Sequence, residues 1–196
     1  AIGRLGAQVL DLEGLASHKG SVLGILPGQP QPSQKWFETS LFEALNTLNP
    51  ERPVYVEAES RKIGNLHVPE ALIRQIRAGE CLNVEATLAA RVDFLLRDYV
   101  YFLEQPDLLN RRLEALRALV AGETLQRWLN YIRVADWPAL VRELLELHYD
   151  PLYRRSQDNN FTGLQHPETF TTDDLSPTGI DRLAAAIVQA RRAQMA

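Results

Sequence analysis

The sequence predicts an α/β domain with a parallel sheet, followed by a helical subdomain. Short apolar runs alternate with amphipathic segments over residues 1–87, a pattern typical of strand–helix–strand units with right-handed crossovers. From residue 88 to residue 155, apolar residues recur at helical spacing instead, which indicates a group of packed helices. We assign residues 156–196 to a polar loop and a C-terminal helix that packs back on the α/β part.

Three strands and two helices are predicted in the α/β part. Residues 8–12, 53–58 and 81–86 are apolar runs of the length and composition found in buried parallel strands. Ser33 can cap the first helix, since Ser accepts hydrogen bonds from the first turn of a helix. Residues 68–79 form the second helix, which ends near a glycine.

Caps also place two later helices. Asp136 precedes an apolar periodic segment with Pro138 at its second position, which predicts a capped helix start. Residues 156–175 are polar and contain Asn, Gly and Pro, so we predict a long loop there. Ser176 and Pro177 then begin the C-terminal helix.

Composition excludes several classes of protein. The 196 residues include 45% hydrophobic and 23% charged residues with a net charge of −4, so no global basic field indicates nucleic-acid binding. A single cysteine, Cys81, excludes an internal disulfide and a zinc site built on cysteines; we predict a structural thiol. Apolar runs fall far short of the roughly 20 residues that span a bilayer. We expect a cytoplasmic protein with no membrane partner.

The ends of the sequence suggest a longer protein. The chain begins at Ala1, and its one methionine is Met195. We therefore expect that further residues precede Ala1 in the natural protein.

Charged residues gather where two of the predicted strands end. Ligands of parallel α/β sheets bind at the carboxyl ends of strands, where acids can hold Mg²⁺ and cations can bind phosphate oxygens. The first cluster comprises Asp11, Glu13, His18, Lys19 and Ser21, and the second comprises Glu57, Glu59, Arg61 and Lys62. These residue types predict a phosphorylated ligand. Solvated loops with internal salt bridges explain the same pattern, and His18 also fits an ordinary hydrogen-bonding role.

A near match to the phosphate loop GxxxxGK[ST] lies within the first cluster. Residues 14–21 read GLASHKGS, in which the lysine and the second glycine are exchanged, so the segment fails the motif. Gly20 and Gly64 still allow backbone N–H groups to approach an anion. No His or Cys pair has metal-ligand spacing, so we expect no direct metal cluster.

Residues 149–156 form a further candidate site. Tyr149, Tyr153, Arg154 and Arg155 follow a predicted helix, and such side chains can bind RNA bases and phosphates. A tyrosine-rich junction between helices is an equal alternative.

Four segments, in order along the chain, resemble the tRNA 2-selenouridine synthase family. They are QVLDLEGLA with HKGS at residues 8–21, QPSQ with FE at 31–38, VEAESRKIG at 56–64, and YDPLY at 149–153. The resemblance implies the second, P-loop domain of such an enzyme. In that family a rhodanese-like domain bearing the catalytic cysteine comes first. The family replaces the sulfur of 2-thiouridine at the tRNA wobble position with selenium from selenophosphate, through an S-geranyl intermediate made from geranyl diphosphate.

Two parts of the family pattern are absent from these residues. The rhodanese domain and its cysteine are missing, and Cys81 does not match that position. The Walker A loop and the first strand are missing too, so residues 1–6 would be the tail of the helix that follows the loop. We expect that this chain alone does not complete selenation.

The resemblance assigns roles to both clusters. Four acids, Asp11, Glu13, Glu57 and Glu59, would face Mg²⁺ or order water. Five residues, His18, Lys19, Ser21, Arg61 and Lys62, would contact diphosphate, selenophosphate or the tRNA backbone. A non-catalytic tRNA-docking module and an unrelated P-loop kinase fragment are the alternative functions.

Overall fold

The computed structural model describes residues 1–58, 60–160 and 167–194; for residues 157–160 and 194 it describes the backbone alone. A short 3₁₀ helix, Ile2–Leu5, precedes the first strand, and a π-helical turn, Leu145–Tyr149, precedes the ninth helix. The strands are β1 (Gln8–Leu10), β2 (Val54–Val56), β3 (Lys62–Ile63), β4 (Leu66–His67), β5 (Leu82–Ala86) and β6 (Glu168–Thr172). The helices are α1 (Leu12–Ala16), α2 (Gln34–Asn46), α3 (Glu70–Ala78), α4 (Leu88–Asp98), α5 (Val100–Glu104), α6 (Pro106–Glu114), α7 (Gly122–Arg133), α8 (Trp137–Leu144), α9 (Asp150–Asn160) and α10 (Pro177–Gln194).

The chain divides into two compact units. The first contains residues 1–83 together with the described parts of 161–170 and of the C-terminal helix. The second contains residues 84–160 and 171–176. Of the helices described, none has the length and apolar character needed to cross a membrane.

A pair of parallel strands organises the first unit. β1 pairs with β2 in register, with Leu10 opposite Val56, as the sequence predicts for consecutive strands joined by a helix. The first strand is shorter than expected, because Asp11 leaves the strand and caps α1 by accepting a hydrogen bond from Gly14 N–H at 2.7 Å. Ser33 caps α2 as predicted.

An apolar core of the first unit lies beneath these elements. Phe37 of α2 and Leu12 of α1 are fully buried, and they are joined by residues from β1, the β3–β4 hairpin and α3. Burying such side chains supplies the main stabilising free energy of the unit. The core members are Leu10, Leu12, Ala16, Phe37, Leu41, Ile63, Leu66, Val68 and Ile73.

Helices make up most of the second unit. α4 packs on α8, and α7 packs on both α6 and α8, so one face of each helix is buried. Trp128 of α7 and Leu140 of α8 lie in the interior. Asp136 caps α8 and Pro138 lies in its first turn, as the sequence predicts.

The predicted three-strand sheet and the predicted loop need correction. Within the described part of the chain, β5 pairs with β6 and not with β1 or β2. β6 lies inside residues 156–175, which we predicted as a loop, and α9 continues to Asn160. The ETFTT run of β6 has the Thr and Phe content of a strand, but its polar neighbours concealed it.

Candidate functional site

Two carboxylates meet where the parallel strands end. Glu57 follows β2 and Asp11 follows β1, so the in-register pairing brings their side chains into hydrogen-bonding contact. One oxygen of Glu57 accepts a hydrogen bond from Leu12 N–H at 3.1 Å, and Oδ1 of Asp11 holds Gly14 N–H. The structure thus brings together one acid from each predicted cluster.

The environment of Glu57 makes its ionisation less favourable than that of an exposed glutamate. Burial raises the pKa of Glu57 above its ordinary value of 4.5, and the neighbouring Asp11 adds to the rise. Hydrogen bonds from backbone N–H groups oppose the rise because they stabilise the carboxylate. A carboxyl group of this kind can exchange a proton with a ligand at the strand ends.

Three further residues of the first cluster, His18, Lys19 and Ser21, lie in a folded loop after α1. His18 is buried and pairs with Ile25 in an antiparallel bridge, while Lys19 N–H donates to Gly24 O at 2.7 Å. Ser21 N–H donates to Lys19 O, so residues 18–25 form a tight turn. Glu13 lies in the first turn of α1. The turn, and not a helix N-terminus, therefore carries His18, Lys19 and Ser21.

The cations of the second cluster lie around the β3–β4 hairpin. Lys62 is the first residue of β3, and its side chain is exposed. Arg61 precedes it and donates to Glu70 of α3 at 2.5 Å in an exposed ion pair, so a phosphate would compete with Glu70 for this guanidinium. Glu59 lies outside the described residues.

The glycine of this hairpin has a role that we did not expect. Gly64 has a φ of +58°, and a Cβ on it would lie 2.2 Å from Oε1 of Gln31. The absent side chain therefore makes room for the Gln31 amide, whereas we expected it to admit an anion. Sequence reasoning missed Gln31, although the QPSQ segment that contains it signalled its importance.

The motif at residues 149–156 belongs to the second unit. Asp150 at the start of α9 accepts two hydrogen bonds from the Arg91 guanidinium of α4, at 2.5 and 2.9 Å. These bonds hold the pKa of Asp150 below its ordinary value. Tyr149 is half-buried with its ring against His148, whereas Tyr153, Arg154 and Arg155 are exposed on α9. The motif therefore divides into an anchored start and an exposed turn.

A second carboxylate centre in this unit was not predicted. Glu143 of α8 accepts hydrogen bonds from Arg127, from Trp128 Nε1 at 3.1 Å and from Tyr131 OH at 3.0 Å. The Arg127 contact is the main cause that lowers the pKa of Glu143. The sequence signal was the i, i+1, i+4 spacing of the three donors on one helix face.

Burial also shifts the pKa values of His148 and Cys81. His148 is buried beside Trp128, and burial lowers its pKa. Burial also raises the pKa of the Cys81 thiol, which disfavours the nucleophilic thiolate. Among the residues that the structure describes, no three His, Cys, Asp or Glu side chains form a group that could hold a metal ion.

The sequence matches one family closely. The family described as the tRNA 2-selenouridine synthase AAA domain matches residues 3–133, which include both carboxylates at the strand ends. The chain belongs to this family. Residues 149–156 lie beyond the matched region.

Curated proteins of the same name extend the similarity. A tRNA 2-selenouridine synthase of Alcanivorax borkumensis is 37% identical over 174 residues, covering 74% of this chain and 48% of the relative. One from Marinobacter nauticus is 30% identical over 175 residues, covering 74% and 47%. One from Nitrosomonas europaea is 42% identical over 97 residues, covering 47% and 24%. The chain thus spans about half the length of the relatives that align with most of it. No solved structure matches.

Proposed function

We propose that this chain is the C-terminal, P-loop-type domain of a cytoplasmic tRNA 2-selenouridine synthase, and that its strand ends bind a phosphorylated substrate. The substrates would be selenophosphate and geranyl diphosphate, and the product would be 2-selenouridine at the tRNA wobble position. The contact between Asp11 and Glu57 carries the proposal, since it places two acids at the ligand-binding edge of a parallel strand pair. Membership of the family supports it.

In this proposal the acids would hold Mg²⁺ and the cations would bind the phosphate. Asp11 accepts a hydrogen bond from Gly14 N–H and Glu57 accepts one from Leu12 N–H, so both carboxyl groups are fixed at the strand ends, where they would hold Mg²⁺ directly or through water. Mg²⁺ is commonly held by one or two carboxylates, water and substrate phosphate, so the Asp11–Glu57 pair suits it.

The other residues of the two clusters would surround this pair. Glu13 and Glu59 would face Mg²⁺ or order water. Cations from the turn and the hairpin, Lys19, Arg61 and Lys62, would neutralise the phosphate, with His18 and Ser21 as hydrogen-bonding partners.

Pyrophosphate binding tests the phosphate site. Titration calorimetry would compare the 196-residue chain with the double variant Arg61→Gln/Lys62→Gln. We expect affinity to fall about tenfold or more, because each charge-assisted hydrogen bond to phosphate contributes on the order of 1.5–3 kcal/mol. The variant Lys35→Gln/Arg74→Gln removes the same charge from exposed positions of α2 and α3 and should bind normally. Equal affinities in all three chains would refute the assignment.

We assign tRNA contact to the exposed turn of α9. Tyr153 is 56% exposed, and Arg154 and Arg155 lie beside it, so an aromatic ring and two cations face solvent on an anchored helix. Tyr149 supports this turn from its half-buried place beside His148. This exposed turn also favours the second candidate function, in which the chain docks tRNA without doing chemistry.

Salt-dependent tRNA binding tests this surface. Arg154→Gln/Arg155→Gln should weaken filter binding of tRNA and reduce the slope of log affinity against log salt by about 1.5, as expected for two lost phosphate contacts. Arg111→Gln/Arg133→Gln, at exposed positions of α6 and α7, is the matched control. Unchanged slope in the first variant would remove α9 from the tRNA site.

An activity assay separates the two functions. We expect no 2-selenouridine when this chain alone is mixed with thiolated tRNA, selenophosphate and geranyl diphosphate, because the rhodanese domain with the catalytic cysteine would be a required partner. Addition of a fragment that supplies that domain together with the Walker A loop and the first strand should restore the product if this chain is catalytic. A chain that only docks tRNA would bind the tRNA and leave the rate unchanged. Nucleoside mass spectrometry measures the product.

A further inference from the structure

The side-chain amide of Gln31 bridges two segments of the first unit. Its Nε2 donates to Ala16 O at 3.2 Å and to Ile63 O at 3.0 Å, and its Oε1 accepts from Asn65 N–H at 2.8 Å. Ala16 ends α1, directly before the turn that carries His18 and Lys19. Ile63 and Asn65 flank the hairpin turn that follows Lys62. One uncharged side chain thus joins the two loops that hold the predicted cations.

The hairpin is shaped to receive this amide. Gly64 lies at the turn with a φ of +58°, and a Cβ there would meet Oε1, Cδ and Nε2 of Gln31 at 2.2–2.8 Å. Both the backbone conformation and the space require glycine, so the turn and the amide fit each other. Half-buried amides satisfied by three backbone groups are strongly constrained, because a lost partner leaves a polar group unpaired.

Gln34 offers a natural comparison three residues later. Its Oε1 accepts from His67 N–H at 2.9 Å, and its Nε2 donates to His67 O at 2.8 Å and to Glu38 at 2.8 Å. Gln34 therefore holds only the far end of the hairpin, at β4. Of the two amides, Gln31 is the one that also reaches α1.

We propose that Gln31 is a positioning residue that couples the turn at residues 18–25 to the β3–β4 hairpin, so that the cations of both loops act on one phosphate group. The ligand part rests on the function proposed above, whereas the coupling is a property of the fold. Gln31 touches no substrate in this scheme; it fixes the backbone at Ala16 and at Ile63–Asn65. A phosphate bound by one loop then meets the other loop already in place, which lowers the ordering cost of binding.

A double-mutant cycle tests the fit between Gln31 and Gly64. Gly64→Ala adds a strained φ in every background, but its Cβ clashes with the amide only when Gln31 is present. We expect Gly64→Ala to lower the Tm by about 3 °C more in the wild-type chain than in Gln31→Ala. Additive Tm changes would show that the amide does not occupy the turn.

Hydrogen exchange tests the coupling without any ligand. In Gln31→Ala, amides should exchange faster in both segments: at Asn65 in the hairpin, and at His18 and Lys19, which bond Glu13 O and Gly24 O after α1. In the control Gln34→Ala, faster exchange should be confined to His67 and its neighbours. Coupling is ruled out if Gln31→Ala accelerates exchange in the hairpin alone.

Pyrophosphate titration separates the coupling from the proposed function. We expect Gln31→Ala to bind pyrophosphate at least fivefold more weakly than wild type, and Gln34→Ala to bind within about twofold of it. Normal binding by Gln31→Ala would overturn the positioning role and leave the phosphate site standing. A wild-type chain that does not bind pyrophosphate would overturn the proposed phosphate site, and the exchange experiment would then decide the coupling by itself.

Gln31→Glu adds a finer measurement. The carboxylate keeps the acceptor for Asn65 N–H but loses both donors, and it places an anion beside Ala16 O and Ile63 O. We expect weaker pyrophosphate binding than in Gln31→Ala at neutral pH, with partial recovery when acid restores a donor to the side chain. The wild type measured at each pH corrects for the protonation of pyrophosphate itself, and a structural defect without coupling would leave the ratio of the Gln31→Glu affinity to the wild-type affinity the same at both pH values.

Discussion

Glu57 and Glu143 are both partly buried glutamates that accept several hydrogen bonds, yet their surroundings act on them in opposite directions. Three donors from one helix face, led by the Arg127 guanidinium, lower the pKa of Glu143. Burial and a neighbouring acid raise the pKa of Glu57, and hydrogen bonds from backbone N–H groups only oppose that rise. The charge of Glu143 is balanced by the Arg127 guanidinium. Glu57 lies beside a second acid, Asp11, so a bound ligand or cation would have to balance its charge.

This difference distinguishes a structural centre from a candidate site. A buried charge with its partner in place stabilises the fold, and its loss is costly. A buried acid beside another acid costs free energy in the folded state, and such arrangements are concentrated at sites that bind cations or move protons. Asp150 resembles Glu143 in this respect, since Arg91 balances its charge. Two motifs of the family resemblance, around Glu57 and Asp150, thus have different physical roles.

The largest predicted effect is on stability and concerns Glu143, whose charge is balanced by Arg127. Glu143→Ala should lower the free energy of unfolding by about 2 kcal/mol, because the fully buried Trp128 loses the acceptor of its indole N–H. Urea unfolding followed by circular dichroism measures this loss. Glu146→Ala, at an exposed position of the π-helical turn, is the control and should change stability very little. Equal costs in the two variants would contradict a structural role for Glu143.

A smaller loss is expected where α9 begins. Asp150→Asn removes the charge that two guanidinium N–H groups contact, and we expect a loss of about 1 kcal/mol since solvent reaches part of the pair. Glu114→Gln is the matched control, because it removes the same kind of charge from an exposed ion pair with Arg117, three residues later in the sequence. That exposed pair should contribute close to nothing. If Glu114→Gln is the more harmful change, the Arg91 contact does not anchor α9.

His148 adds a pH-dependent term to the stability of the second unit. Burial lowers its pKa in the folded chain, so the unfolded chain binds the proton more tightly. The contribution of neutral His148 to stability is therefore fully present above the ordinary pKa of 6.5, and it is lost as pH falls through the pKa that His148 has in the folded chain. His148→Phe keeps an aromatic ring beside Trp128 but cannot titrate. Its Tm should fall less than that of the wild type between about pH 7.5 and pH 5.5; equal falls would exclude His148 as the cause.

Local patterns predicted much of the secondary structure. Ser33 and Asp136 cap helices where their side chains and the following apolar spacing predict. The pairing of β1 with β2 follows from the alternation of strand and helix. The sequence predicts a strand less well where the strand that pairs with it lies far along the chain. β6 pairs with β5 across more than 80 residues, and only the sheet reveals that its ETFTT segment is a strand.

At the candidate site, the sequence indicates which acids lie near the strand ends but not which contacts their side chains make. The rule that ligands bind at strand ends brought Asp11 and Glu57 into consideration, and the two side chains do meet. The partners of Arg61 and Gly64 were hidden, because Glu70 and Gln31 lie on other elements and nothing in their local sequence indicates the contact. Residue type predicts chemistry, whereas the fold decides which charges are already balanced.

The smallest predicted effect is a gain of stability and not a loss, and it tests the contrast between Glu57 and Glu143 most directly. Glu57→Gln keeps an oxygen for Leu12 N–H and removes the charge that faces Asp11, so it should stabilise the chain at neutral pH. We expect a gain of about 0.5 kcal/mol, because solvent screens part of the interaction.

The pH dependence fixes the cause of that gain. An acid with a raised pKa favours folding below its ordinary pKa of 4.5, and that advantage is lost as pH rises through the folded value. The gain from Glu57→Gln should therefore be absent near pH 4 and grow towards pH 7, when unfolding by urea is measured at each pH. Glu143→Gln should show a loss that also grows with pH, since a lowered pKa stabilises the fold only above 4.5. If both variants lose stability as pH rises, Glu57 is a balanced carboxylate like Glu143, and the strand ends carry no uncompensated charge for a ligand to use.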